Sequence, residues 1–136
     1  MNRLLFFICM ISVFTSCSKP TGIKELLITS DSAAINFFKG DGSMDTVYQF
    51  VMIRDKKALE SLAGYIESGT IKIKPCGYDG SLHFFKNNMV IKDIDFRMNQ
   101  PDCMHFSFVI NGQLFTTKLS IDAKRFLETV KSKLFY

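Results

Sequence analysis

Asn111-Gly112, set between two runs of alternating residues, constrains the fold of this chain more than any other pair. Both residues tolerate positive φ, as a two-residue hairpin loop requires, and so short a loop leaves the strands no freedom of register. Cys103 to Ile110 and Gln113 to Leu119 are therefore predicted to pair antiparallel. Phe108 then opposes Phe115, Phe106 opposes Thr117 and Met104 opposes Leu119. With Ile110 these residues make a core face, because side chains alternate across a strand. Cys103, His105, Ser107 and Thr116 fall on the other, more polar face, where His105 opposes Lys118.

Much of the remaining chain has the same period. Ile23 to Thr29 and Ala33 to Phe38 read as short strands split by Ser30-Asp31-Ser32. Thr46 to Ile53 is nearly all apolar, which predicts a central strand buried on both faces. Asp41-Gly42-Ser43-Met44-Asp45 before it reads as a hairpin loop. Thr70 to Lys74 alternates Ile71 and Ile73 with Lys72 and Lys74, and Pro75 ends it. Leu82 to Phe85 and Met89 to Met98 flank Asn87-Asn88 as a further hairpin. Two segments switch to helical spacing. After Asp55, a residue suited to capping free N–H groups, Ala58, Leu59, Leu62, Tyr65 and Ile66 form one apolar stripe, with Gly69 just past its end. After Ser120, Ala123, Phe126, Leu127, Val130 and Leu134 form another, with Asp122 early and Lys131 and Lys133 late to complement the helix dipole. The order predicts an α+β domain, a mainly antiparallel sheet of about seven or eight strands with two helices packed on one face.

The N-terminus follows a different logic. Met1-Asn2-Arg3 is short and basic, Leu4 to Phe14 holds one polar residue, Ser12, and Thr15-Ser16 precede Cys17. A basic start, an apolar run and small residues before a cleavage point make a secretory signal. That run is too short for the roughly 20 apolar residues of a bilayer-spanning helix. Phe14-Thr15-Ser16-Cys17 resembles the lipobox of bacterial lipoproteins, with Phe where Leu is usual, and Ser-Cys-Ser-Lys is similar to the ending found in Bacteroides-type envelope lipoproteins. The resemblance implies a signal peptide over 1–16, a lipidated Cys17 with a tether over 17–22 and a single domain over 23–136. It also implies anchoring in the cell envelope, with the outer membrane favoured by Ser18.

Composition narrows the partners. Removing Arg3 lowers the formal net charge of +4 by one, and no run of five basic residues occurs. Nucleic-acid binding needs clustered positive charge, so it is not expected. Fourteen Phe and no Trp predict a phenylalanine-packed core, the alternative being a cavity for an apolar ligand. Of four cysteines, Cys9 leaves with the signal and Cys17 takes lipid. Cys76 and Cys103 remain as an even pair in an oxidising compartment, which predicts a disulfide. Its loop of about 26 residues corresponds to roughly 3–4 kcal/mol in the chain-entropy model.

Candidate chemistry is sparse. Cys103 and His105, two apart on a strand, have the spacing of a thiol–imidazole pair, but the expected disulfide would occupy the thiol. Cys76, His83, Cys103 and His105 contain the ligand types of a zinc site without the paired C-x₂-C and H-x₃-H units of a zinc finger. Asp93 and Asp95 share a strand face without a calcium-loop sequence around them. No Ser-His-Asp order, phosphate loop or dinucleotide fingerprint is present. The segment after Cys76 stands out: Gly77-Tyr78-Asp79-Gly80 offers an aromatic and a carboxylate between two glycines, as a recognition loop on a sheet would. The expectation is a non-enzymatic binding module without cofactor or metal, anchored to a membrane through its lipid and engaging a protein or small apolar ligand. An immunity or inhibitor lipoprotein that neutralises a toxin or hydrolase is the alternative, and an envelope enzyme using Asp79 or His105 comes last.

Overall fold

A computed structural model describes residues 21–40, 46–72 and 76–133. The signal segment with Cys9 and Cys17, most of the tether, the Asp41–Asp45 loop, Ile73, Lys74, Pro75 and Leu134 lie outside these. Six strands form one antiparallel sheet: β1 (Ser32–Phe38), β2 (Val47–Ile53), β3 (Gly80–Lys86), β4 (Met89–Arg97), β5 (His105–Ile110) and β6 (Gln113–Lys118). Their spatial order is β2-β1-β3-β4-β5-β6. Three helices, α1 (Ile23–Leu27), α2 (Lys56–Ile66) and α3 (Ile121–Ser132), add buried side chains to one core on one face of this sheet, and a 3₁₀ turn spans Pro101–Cys103. The class is the expected α+β, with six strands rather than seven or eight and three helices rather than two among the described residues.

The differences fall in three segments. Ile23 to Thr29 is not a strand: Ile23 and Leu27, four apart, are buried together while Leu26 and Ile28 are exposed. Lys24, Glu25, Leu26 and Leu27 are good helix formers, and Gly22 enters the turn in the left-handed region at φ 56°. Thr46 to Ile53 is not central. β2 pairs only with β1, at the sheet edge, and Val47, Tyr48 and Phe50 are about half exposed. A continuous apolar run does not reveal how many of its faces are covered. Of Thr70 to Lys74, the described Thr70, Ile71 and Lys72 form no strand of their own: Thr70 makes one bridge to Thr117, and the Ile71 N–H donates to the Thr116 carbonyl at 2.8 Å, covering part of the β6 edge.

Other expectations match. The β5–β6 register pairs Phe108 with Phe115, Phe106 with Thr117 and His105 with Lys118. Asp55 Oδ1 accepts from the Ala58 N–H at 2.8 Å and Ser120 Oγ from the Ala123 N–H at 3.1 Å, capping α2 and α3. The core is rich in phenylalanine, with Phe37, Phe84, Phe96 and Phe106 fully buried. Phe37 and Phe96 meet edge to face, centroids 5.8 Å apart, the arrangement that aromatic quadrupoles favour. Thr117 faces this core and is buried, its hydroxyl donating to the Ile66 carbonyl at 2.5 Å.

Gly80 is required by packing. A Cβ there would lie 2.3 Å from the Asn36 carbonyl oxygen and 2.3 Å from the Phe96 ring. Gly64, within α2, has nothing within 4 Å of its would-be Cβ. Gly80→Ala should therefore lower stability by about 2–3 kcal/mol through overpacking. Gly64→Ala should raise it by up to about 1 kcal/mol through helix propensity. Thermal unfolding of the two variants checks both signs.

Candidate functional site

All three helices pack on one face, so among the described residues the other sheet face carries no helix; Ala34, Ser81 and Ser107 on it are buried between larger neighbours, and strand register decides what it presents. Asn36 pairs with both Phe50 and Ser81, Ser81 with Asp95, Asp95 with Ser107, and Ser107 with Thr116. One row therefore crosses all six strands: Phe50, Asn36, Ser81, Asp95, Ser107, Thr116. A second row places Met52, Ala34, His83 and Asp93 side by side, and a third aligns Arg97, His105 and Lys118. The centre is polar, and exposed apolar groups flank it: Phe50 on edge strand β2, Leu114 on edge strand β6 and Val109 beside it on β5.

Hydrogen bonds link the central groups. Asn36 Nδ2 donates to Ser81 Oγ at 3.3 Å, Ser81 Oγ lies 3.1 Å from His83 Nε2, and His83 Nδ1 lies 2.6 Å from Asp93 Oδ1. Ser81, His83 and Asp93 thus form a connected chain that sequence reasoning missed. A two-residue turn at Asn87-Asn88 with regular pairing would set His83 against Lys92. Instead the register shifts between Phe84 and Phe85, leaving Ile91 as the extra residue, so His83 meets Asp93 and Ser81 meets Asp95. A bulge of this kind flips every later side chain relative to the regular alignment. Only the i, i+2 spacing of Ser81 and His83 was a usable signal.

Asp95 lies at the middle of the face. Burial raises its carboxyl pKa above the ordinary 3.8; His83 lowers it, the Asp93 charge raises it and His105 lowers it, in that order of size. Beside it is a cleft of about 310 Å³ whose walls include Tyr78, Asp93, Asp95, Ser107 and Leu114.

The loop from Cys76 to Gly80 crosses one end of this face. The Cys76–Cys103 disulfide is present, with Cα atoms 6.6 Å apart. Tyr78 sets its ring edge to face on His105, centroids 5.8 Å apart. His105 is accordingly not a surface histidine: it is 2% exposed, and its Nδ1 lies 2.9 Å from the Cys103 carbonyl oxygen. Asp79 is turned inward. Its Oδ2 accepts from the Met98 and Asn99 N–H groups at 2.7 and 2.8 Å, and its Oδ1 pairs with Arg97 Nη1 at 3.0 Å. Of the expected recognition loop, Gly77 and Tyr78 remain half-buried at the surface, while Asp79 and Gly80 belong to the interior. The zinc-type set is partly assembled: Cys76, Cys103 and His105 converge, and His83 pairs with Asp93 instead.

No protein-family model matches the chain, and no curated protein or solved structure is significantly similar to it.

Two substitutions test this electrostatic arrangement. Asp79→Ala strands two backbone donors and Arg97, so it should cost about 3 kcal/mol or more in chemical denaturation. Asp95→Asn should act in the opposite sense. A carboxyl whose pKa is raised by folding binds its proton more tightly in the native state, so the wild type loses stability as pH climbs above 3.8. The variant should melt higher than wild type at neutral pH, and the gap should close as pH falls below 3.8.

Proposed function

We propose that this chain is a lipid-anchored lipoprotein of the cell envelope, held by acyl chains on Cys17, and that its domain is a binding module rather than an enzyme. The observation that carries the binding reading is the open sheet face, a polar row with Phe50 at one end and Val109 and Leu114 near the other. Exposed apolar groups flanking polar side chains that already bond to one another are candidate anchors for a protein partner. Among the described residues no helix is long and apolar enough to cross a membrane, and the basic residues are not clustered. Attachment then rests on lipid, and stable attachment takes more than one acyl chain. An immunity or inhibitor lipoprotein, whose partner is a toxin or hydrolase, is the special case that a small, disulfide-stapled domain suits.

A second reading, a small envelope hydrolase, draws on the Ser81–His83–Asp93 chain. Such a serine needs donors for a developing oxyanion. The backbone of β3 is committed to ladders with β1 and β4, and Asp95 lies directly across from Ser81. Asp79 is occupied by backbone donors and His105 is buried, so neither offers a better start. Labelling of Ser81 by a fluorophosphonate would establish this second reading; an unlabelled, folded chain is the expected result.

The binding reading is tested in the envelope itself. A photocrosslinking residue in place of Leu114, on the open face, should give a discrete adduct, whereas one in place of Glu60, exposed on α2, should not. Equal labelling from both positions, or none from Leu114, would sink it. Cys17→Ala should move a folded domain from the membrane fraction to the soluble fraction, and retention in the membrane would overturn the anchor.

A further inference from the structure

The geometry points to a second state of the Cys76–Cys103 pair: once reduced, the two thiolates and His105 form a binding site for zinc or a similar thiophilic divalent cation. Three donor atoms already converge. His105 Nδ1 lies 3.8 Å from Cys76 Sγ and 3.9 Å from Cys103 Sγ, and one ligand atom from each of the three residues lies within 4.8 Å of the others. Zinc bonds of about 2.3 Å to sulfur and 2.0–2.1 Å to nitrogen, at tetrahedral angles, place sulfur and nitrogen about 3.5 Å apart and two sulfurs about 3.8 Å apart. The sulfur–nitrogen edges are therefore within a few tenths of an ångström of what the metal needs. What must change is the sulfur–sulfur edge, and Cα atoms 6.6 Å apart leave room for two side chains to part without moving the backbone.

The surroundings fit a held ligand set better than a surface accident. Cys103 and His105 are buried, and the register of β5 against β4 and β6 fixes the His105 backbone. Cys76 is half-buried on a segment followed by Asp79, whose carboxylate is tied to Met98, Asn99 and Arg97. That clamp holds the base of the loop without help from the disulfide. Three protein ligands leave a fourth coordination position, which a water fills at the half-buried Cys76 side.

The chemistry balances with a dithiol as reductant. The dithiol gives two electrons and two protons, its own sulfurs join in a disulfide, and the Cys76–Cys103 bond breaks to two thiols. Zinc then displaces both thiol protons to solvent. The His105 proton resides on Nε2, so that Nδ1 presents its lone pair to the metal in place of its contact with the Cys103 carbonyl. Exchange with the disulfide form of that dithiol reverses the sequence: it takes the two electrons from the thiolates and two protons from solvent, the Cys76–Cys103 bond forms and the ion is expelled. Staple and metal site are mutually exclusive states of one cluster.

Cobalt is the informative probe, because thiolate ligation and tetrahedral geometry each have a visible or near-ultraviolet signature. The full chain with Cys9→Ala and Cys17→Ala carries only the two relevant thiols. Reduced and titrated with cobalt, it should bind one equivalent with thiolate-to-cobalt charge-transfer and tetrahedral ligand-field bands, and zinc should displace the cobalt. The oxidised chain should show neither band. Cys76→Ser or Cys103→Ser should at least halve the charge-transfer intensity, His105→Ala should weaken affinity at least tenfold, and His83→Ala should change nothing. Far-ultraviolet circular dichroism follows the fold throughout. A reduced chain that unfolds even with metal present overturns the proposal. So does a folded one without these bands, or one whose affinity survives His105→Ala.

Discussion

The extra residue that β4 carries opposite Phe84 and Phe85 determines how the sheet divides into its two faces. Downstream of Ile91, Ile94 and Phe96 point at the helices while Asp93, Asp95 and Arg97 point away. With regular pairing from the Asn87-Asn88 turn, the facing of these residues against β3 would be reversed, and two carboxylates would enter a core of Leu82, Phe84 and Phe106. Burying unpaired carboxylates is far more costly than one unpaired residue in a ladder. The bulge therefore reconciles a short turn with a hydrophobic core.

From that division follows the second tie in the fold. Phe96, once inward, rests its ring where Gly80 has no side chain, and this seats the start of β3 against β4. Asp79, one residue earlier, then reaches the N–H groups of Met98 and Asn99, just beyond β4. The loop before it is pinned again by the disulfide, and Tyr78 closes over His105. Core packing, a buried carboxylate and a covalent bond thus act within a few residues of one another, and they cover one end of an otherwise open sheet.

The uncovered part of that face is where the functional reading rests. Its polar groups already bond to one another along Asn36, Ser81, His83 and Asp93, so they form a preorganised surface rather than a set of loose side chains. Preorganisation reduces the ordering cost of binding. The β3 amides beside Ser81 are held in ladders on both sides, and the proposal of binding rather than catalysis draws on that.

What the sequence determined by itself was local. The Asn111-Gly112 hairpin and its register, the caps at Asp55 and Ser120, the pairing of the two cysteines and the α+β class all follow from neighbours a few residues apart or from simple parity. The N-terminal pattern on which the proposal for Cys17 rests is local in the same sense. Tertiary structure alone decided that β2 is an edge, that Asp79 turns inward and that Ser81, His83 and Asp93 meet. Each of those outcomes depends on which strand or helix arrives alongside. A run of apolar residues, a Gly-Tyr-Asp-Gly loop or a His two residues from a Ser carries no record of its neighbour across the sheet, and a single bulged residue is enough to exchange one neighbour for another.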